Sequence, residues 1–306
     1  MLSQSALVTG AYGFVGRHVA RHMARNGYVV RGMGHGAWGR GEWREWGLSD
    51  WHSADVNVET LLTHGGEPDV IVHCAGSGSV AFSMTHPYQD HQRSVTTTLA
   101  VMDFARQHRP EARIVLPSSA GVYGVAAEQP IRVNSTLAPV SPYGLHKRMA
   151  EDLCVSYARH FGVRAAVVRL FSVYGIGIRK QLLWDACSKL SAGDLMFGGT
   201  GDETRDWIHI EDAAQLLLRV SEEASQHCPI VNGGSGAAIT IREVVNTVAK
   251  GLGLVDFPQF SGRSRPGDPV HYLADISEAK ALGWTPARDW QTEVSAYVEW
   301  FKNGSP

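Results

Sequence analysis

The chain has 306 residues, 44% of them hydrophobic, with 28 Lys and Arg against 30 Asp and Glu. That length supports a sizeable core and one or two domains, and a net charge of −2 excludes a strong field for nucleic acid. No apolar run is long enough to span a bilayer, so no membrane partner is expected.

The first strand pattern begins almost at once, so no signal peptide is expected. Ala6-Leu7-Val8-Thr9 reads as a short buried strand that runs into Gly10-Ala11-Tyr12-Gly13-Phe14-Val15-Gly16. Val15, Val19, His22 and Met23 then recur at helical spacing. Strand, glycine turn and helix form a phosphate cradle: Gly10 permits the turn, Gly13 lets backbone approach a pyrophosphate, and Gly16 lets helix and strand pack closely. The helix N-terminus would face the phosphates with unpaired amides. The spacing is G-x-x-G-x-x-G rather than G-x-G-x-x-G.

Tyr28 to Met33 reads as the second strand. An acidic residue is expected at its end if the cofactor is NAD, to hold the ribose 2′-hydroxyl. Counted from the glycine motif, that position is Gly34. Glycine leaves room for a 2′-phosphate, and Arg31, His35 and Arg40 stand close in sequence, so NADP is favoured over NAD. Further strands are expected over Asp69 to Ala75, Arg113 to Leu116 and Val163 to Leu170, with helices over Thr96 to His108 and Leu145 to Phe161. This alternation implies a parallel sheet with helices on both faces and a ligand site at the carboxyl ends of its strands. The regularity breaks after Tyr174. Gln181 to Ala192 looks helical, Asp194 to Thr204 is glycine-rich and turning, Ile208 to Ala224 returns to strand and helix, and Thr292 to Lys302 reads as a final amphipathic helix. Cys74, Cys154, Cys187 and Cys228 are widely scattered. Three lie in apolar patterns and read as core residues, which fits a reducing cytoplasm. The histidines show no metal-ligand spacing, so no metal is expected.

The chemistry concentrates at Tyr143-Gly144-Leu145-His146-Lys147. A Tyr and a Lys four apart share a helix face. A nearby ammonium favours the phenolate and lowers its pKa from about 10, giving a group that passes a proton to or from a sugar or alcohol oxygen. Ser119, from Ser118-Ser119-Ala120-Gly121-Val122-Tyr123-Gly124, is the expected third member, donating a hydrogen bond to the same oxygen.

Gly10, Gly13 and Gly16, with Ser119, Tyr143 and Lys147, resemble the extended short-chain dehydrogenase/reductase family, within it the nucleotide-sugar epimerases, dehydratases and ketoreductases related to UDP-galactose 4-epimerase. Matches continue at Arg169-Leu170-Phe171-Ser172-Val173-Tyr174-Gly175, at Arg205 to Asp212, and at Arg265-Pro266-Gly267-Asp268. The resemblance implies a Rossmann-type doubly wound sheet, residues 1–172 and 208–231, and a smaller discontinuous C-terminal substrate domain, 173–207 and 232–306. It implies dinucleotide contacts from Phe14 and Val15, from Asp55-Val56 beside the adenine, from Cys74-Ala75-Gly76 and Ser94, and from Pro117-Ser118 and Leu170-Phe171-Ser172, besides Tyr143 and Lys147. On the nucleotide-sugar side it implies Ser79, Ser119, Tyr143, Ser172, Arg205 and Arg265, with Asp268 on a ribose hydroxyl, and it places Tyr174 near the sugar. It also implies a homodimer through the two helices over Thr96 to His108 and Leu145 to Phe161.

Departures from the family pattern are Ser172 and Ser94, each for asparagine, and Ile176 for proline. Ala120 and Gly121 stand where the 4,6-dehydratases carry an Asp-Glu pair, and without those carboxylates the elimination of water lacks its proton-transfer groups. Two enzymatic readings remain. The first is an NADP(H)-dependent 4-ketoreductase of a nucleoside-diphosphate 4-keto-6-deoxy sugar with Tyr143 as proton donor. The alternative is an NAD-dependent nucleotide-sugar 4-epimerase. Gly34 tips the choice to the reductase. A third reading, a non-catalytic dinucleotide sensor or scaffold, is disfavoured by the presence of Ser119, Tyr143 and Lys147 together.

Overall fold

The structure, a computed structural model, describes residues 4–263 and 271–304. Twelve strands and eleven helices follow along the described chain. The first half runs β1 (Ser5–Thr9), α1 (Phe14–Arg25), β2 (Val29–Gly34), β3 (Leu48–Ser53), α2 (Val58–His64), β4 (Val70–His73), α3 (Val80–Thr85), α4 (Pro87–His91), α5 (Thr97–His108), β5 (Arg113–Ser119) and α6 (Pro142–Phe161). Then come β6 (Arg164–Leu170), β7 (Ser172–Tyr174), α7 (Gln181–Ser191), β8 (Met196–Phe197), β9 (Thr204–His209), α8 (Ile210–Ser221) and β10 (Ile230–Gly233). The chain closes with β11 (Ala238–Thr240), α9 (Ile241–Gly251), β12 (Gln259–Phe260), α10 (Ser277–Ala281) and α11 (Trp290–Lys302).

Seven strands form one sheet in the order β10-β6-β5-β4-β1-β2-β3, every neighbour parallel. The order explains the composition of its strands. Successive side chains point to opposite faces, and both faces are covered, so both must be apolar. Val8, Val72 and Val115 pack on one side with Val19 of α1 and Leu216 of α8. Their neighbours Leu7, Ile71 and Ile114 pack on the other with Leu61 of α2, Val101 of α5 and Cys154 of α6. Each fully buried Leu or Ile here stabilises the sheet by about 1.5–3 kcal/mol. This is the expected Rossmann-type architecture. A third core joins α7, α9 and α11 through Leu183, Val244 and Tyr297, above a small sheet ordered β11-β9-β7.

Several boundaries shift from the sequence reading, β4 ending at His73 rather than Ala75 and β5 at Ser119 rather than Leu116, and strands β3 and β10 lie outside it. Helix α6 starts at Pro142 rather than Leu145, because Ser141 accepts from Gly144 N at 3.2 Å as N-cap and proline suits the first turn. Tyr143 therefore lies in that first turn. Strand β3 was not expected: Leu-Ser-Asp-Trp-His-Ser has one buried residue, Leu48, at the sheet edge.

Candidate active site

The glycine turn joins β1 to α1 at the carboxyl rim of the sheet. Gly10 has φ +68°, and a Cβ there would lie 2.6 Å from Ala75 N; a Cβ on Gly16 would lie 2.2 Å from Gly10 O. Both positions are therefore closed to any side chain. Gly13 sits at the N-cap of α1, where no side chain caps the helix. Orphan amides at an open helix start suit a pyrophosphate, so this cradle fits a dinucleotide. Phe14 and Val15 open α1 beside it. Cys74, Ala75 and Gly76 follow the end of β4, and burial pushes the Cys74 thiol up to about 12, a neutral group.

The end of β2 corrects the cofactor reading. Gly34 has φ +144°, and a Cβ there would lie 3.1 Å from both N and Cα of Gly10. Glycine stands there because β2 is pressed against the turn, and a 2′-phosphate is not needed to explain it. Arg31 does not reach the site either: its guanidinium extends to Gly66, where a Cβ would lie 2.6 Å from Nη1, and Gly66 precedes β4 at the opposite rim. Arg40 is exposed in the loop after β2. His35 pairs through Nε2 with Asp55 Oδ1, both well exposed, so a carboxylate does stand beside Gly34, one strand over. Val56 follows, buried in the core. The cation that sequence reasoning missed is Arg17. It is held by Tyr12 O at 3.1 Å from Nε and lies over the rings of Tyr12, Trp38 and Trp46 at 5.1, 5.0 and 5.1 Å.

Ser119, at the end of β5, accepts from Gly121 N at 3.1 Å, and its hydroxyl lies on the side of the Tyr143 phenol, which it draws down. A Cβ on Gly121 would meet Ser119 Oγ at 3.4 Å and the Tyr143 ring at 3.5 Å. The position that holds a carboxylate in dehydratases thus faces the site directly, and here it carries none. Lys147 is 9% exposed and donates to Pro117 O at 3.1 Å. A Cβ on Gly76 would lie 3.7 Å from both Lys147 Nζ and Ser94 Oγ. Ser94 sits in a π-helical turn, Gln92–Thr96, and accepts from Ser77 N at 3.4 Å.

The electrostatics differ from the sequence expectation. Burial raises the Tyr143 phenol above its ordinary value, the Ser119 hydroxyl draws it down, and Asp90 pushes it up. The Lys147 ammonium donates to the Pro117 carbonyl at 3.1 Å. Burial lowers the lysine itself, opposed by Cys74, Asp90 and Glu151.

Behind the serine loop runs a buried network that the sequence reading did not assemble. Ser118 Oγ donates to Glu151 Oε1, away from the cleft, which corrects its side chain from cofactor contact to support. Glu151 pairs with Arg169 at 2.8 Å, Arg169 donates to Tyr123 OH at 2.9 Å, and Tyr123 donates to Asn232 at 2.7 Å. The signal was available: Glu151 is one turn beyond Lys147 on the same face.

On the substrate side, Leu170 and Phe171 are buried and Ser172 opens β7 at the same rim. Ser79 is occupied as N-cap of α3, accepting from Phe82 N at 3.1 Å. Arg205, on β9, donates to Thr204 O at 2.8 Å and lies 5.9 Å from the Tyr272 ring. Tyr174 is 2% exposed and packs edge-on against Trp207. Arg265 and Asp268 lie outside the described residues.

The NAD dependent epimerase/dehydratase family matches residues 6–234. The chain belongs to that family. It is thus an NAD(P)-dependent enzyme of the epimerase and oxidoreductase kind, and its resemblance to the extended short-chain dehydrogenases/reductases holds. It is similar to the UDP-glucose 4-epimerase of Corynebacterium glutamicum, 32% identical over 316 residues that cover 96% of this chain and 93% of the relative. The putative UDP-glucose 4-epimerase of Methanocaldococcus jannaschii is 26% identical over 98% of this chain and 99% of its own. Among solved structures, MoeE5 in complex with UDP-glucuronic acid and NAD superposes with TM-score 0.85 at 26% identity, covering 98% of this chain and 99% of that one. The ketoreductase reading loses its premise, since Gly34 is explained by crowding against Gly10. No helix among the described residues is long and apolar enough to cross a membrane.

Proposed function

We propose that this protein is an NAD-dependent nucleotide-sugar 4-epimerase. The reading rests on Ser119 and the Tyr143 ring lying together against Gly121, beside a glycine cradle and with no carboxylate at position 121. NAD, when bound, supplies a hydride acceptor that returns the hydride to C4. The chain's own groups handle the proton. Tyr143 takes it from the 4-hydroxyl and later returns it to the same oxygen, once the keto sugar has turned to present its other face for reduction, while Ser119 orients the oxygen. Ser119 draws the phenol down against the effect of burial, the direction that favours proton removal. Lys147, whose Nζ lies beside Gly76 with Ser94 Oγ, would hold the dinucleotide. Residues 1–172 and 208–231 would bind the dinucleotide, and 173–207 and 232–306 the nucleotide sugar, with Arg205 and Ser172 toward the sugar nucleotide. NAD is favoured over NADP because Arg31 points away, Arg17 is enclosed by aromatic rings, and Asp55 would repel a 2′-phosphate.

The test is interconversion of UDP-glucose and UDP-galactose, or of the corresponding uronates, with no added reductant. Tyr143→Phe should lower kcat by about 10²- to 10⁴-fold while the fold is retained. Stoichiometric NADPH consumption on a 4-keto sugar, without epimerisation of any UDP-sugar, would restore the reductase.

A further inference from the structure

Asp90, on α4, is 0% exposed. Its Oδ2 lies 2.6 Å from His146 Nδ1, while Oδ1 is buried with no hydrogen-bond partner. Leaving one oxygen of a buried carboxylate unpaired costs about 1–3 kcal/mol or more, so packing alone gives no reason for an acid at this position. His146 lies between Tyr143 and Lys147 on α6, so the carboxylate abuts the helix that carries both. Burial is the larger influence on each of the two, raising the phenol and lowering the ammonium; Asp90 pushes the phenol further up and supports the ammonium.

The other charged groups around α4 are turned elsewhere or already paired. His91, on α4 itself, meets the His146 ring edge-on at 5.2 Å. His86, at the end of α3, stacks on Phe82 at 4.9 Å, and the Arg93 guanidinium lies over the same ring at 4.7 Å. On α6, Arg148 donates to Leu137 O and Glu151 is paired with Arg169. At the end of β4, burial holds His73 down at about 3 and Cys74 up at about 12, both neutral near pH 7. Asp90 is the acidic side chain of α4, seated through His146 against the helix that carries Tyr143.

We propose that Asp90 is a positioning residue that sets the pH at which Tyr143 gives up its proton and keeps Lys147 charged, with His146 holding the carboxylate in place. The inference deepens the epimerase reading, since it concerns how the same phenol is tuned, but its test does not need turnover. Tyr143 is isolated from the other tyrosines by subtracting the alkaline absorbance titration of a Tyr143→Phe protein from that of its parent, with circular dichroism confirming the fold at each pH. The same subtraction is made in Asp90→Asn and Asp90→Glu backgrounds. Asp90→Asn should move the Tyr143 titration to lower pH by about half a unit or more, the effect of removing a charge several ångströms away at an effective dielectric of about 20. Asp90→Glu, which keeps the charge, should leave it near the parent value. If Asp90→Asn does not fold, Asp90→Ser, with room for a water, replaces it. An unmoved titration in a folded charge-free variant overturns the proposal, as does an equal shift in Asp90→Glu. Wild-type protein that turns over no UDP-sugar would sink the epimerase reading and leave this result to stand or fall by itself.

Discussion

His73 shows how much of the site is held by groups that never meet a ligand. It is 2% exposed, with Nδ1 2.7 Å from Thr9 Oγ1 and Nε2 3.3 Å from Thr97 Oγ1. Thr9 Oγ1 also accepts from Ala75 N at 3.3 Å, so one imidazole ties the end of β4 to β1 and α5. Burial, with Lys147 adding to it, holds the ring at about 3 against an ordinary 6.5. The sign follows. Between those values the unfolded chain binds the proton and the folded one does not, so stability rises with pH and is lost as pH falls from 6.5 toward 3. In urea unfolding at a series of pH values, His73→Gln should flatten this dependence by up to about 1.4 kcal/mol per pH unit. An unchanged slope would show that the histidine is protonated in the folded state. Tyr143 and Lys147 were legible in the sequence because their relation is local, four positions on one helix. Asp90 was not, because its meaning lies in the packing of α4 on α6, which no spacing reveals.

At the scale of elements, α6 is the organising piece. Tyr143, Lys147 and Glu151 repeat every four residues along one face, so the helix presents in turn the proton-transfer phenol, the cation beside Gly76, and the anchor for Arg169. Glu151 and Arg169 side chains are each 3% exposed, and truncating one leaves the other charged and buried. Glu151→Ala should destabilise the fold by about 3–5 kcal/mol in urea unfolding, whereas replacing both residues by Met and Leu should recover most of that loss. Equal instability of the single and double variants would mean that the pair has no role as a pair. Strands β1, β2, β4, β5 and β6 were readable from buried runs bounded by turn residues, and so was the rim on which the site is built, while β10 was passed over. Strand β3 was not, because an edge strand with one buried side chain has no apolar pattern. Arg31 was misread for a related reason: its distance in sequence from Gly34 is short, but the direction of its side chain is set by the pairing of β2 with β1 and β3.

The whole molecule has two cores on the faces of one sheet and a third over its rim, and the proposed chemistry lies where they converge. The apolar positions left outside these cores bear on assembly. Leu99 on α5 is 42% exposed and Leu145 on α6 is 46% exposed, on two helices that pack together. We propose that a second copy covers this face, as the family resemblance implies. Sedimentation velocity at micromolar concentration should give a dimer, and Leu145→Arg should give a monomer; a wild-type monomer would refute the arrangement.

The junction at Gly34 has a practical corollary for redesign. Grafting the missing aspartate onto that spot, the obvious way to strengthen preference for the unphosphorylated dinucleotide, would demand a backbone conformation that L-residues rarely adopt and would crowd Gly10. The route left open to an engineer runs through the exposed His35 and Asp55, where selectivity is adjustable without disturbing the phosphate cradle.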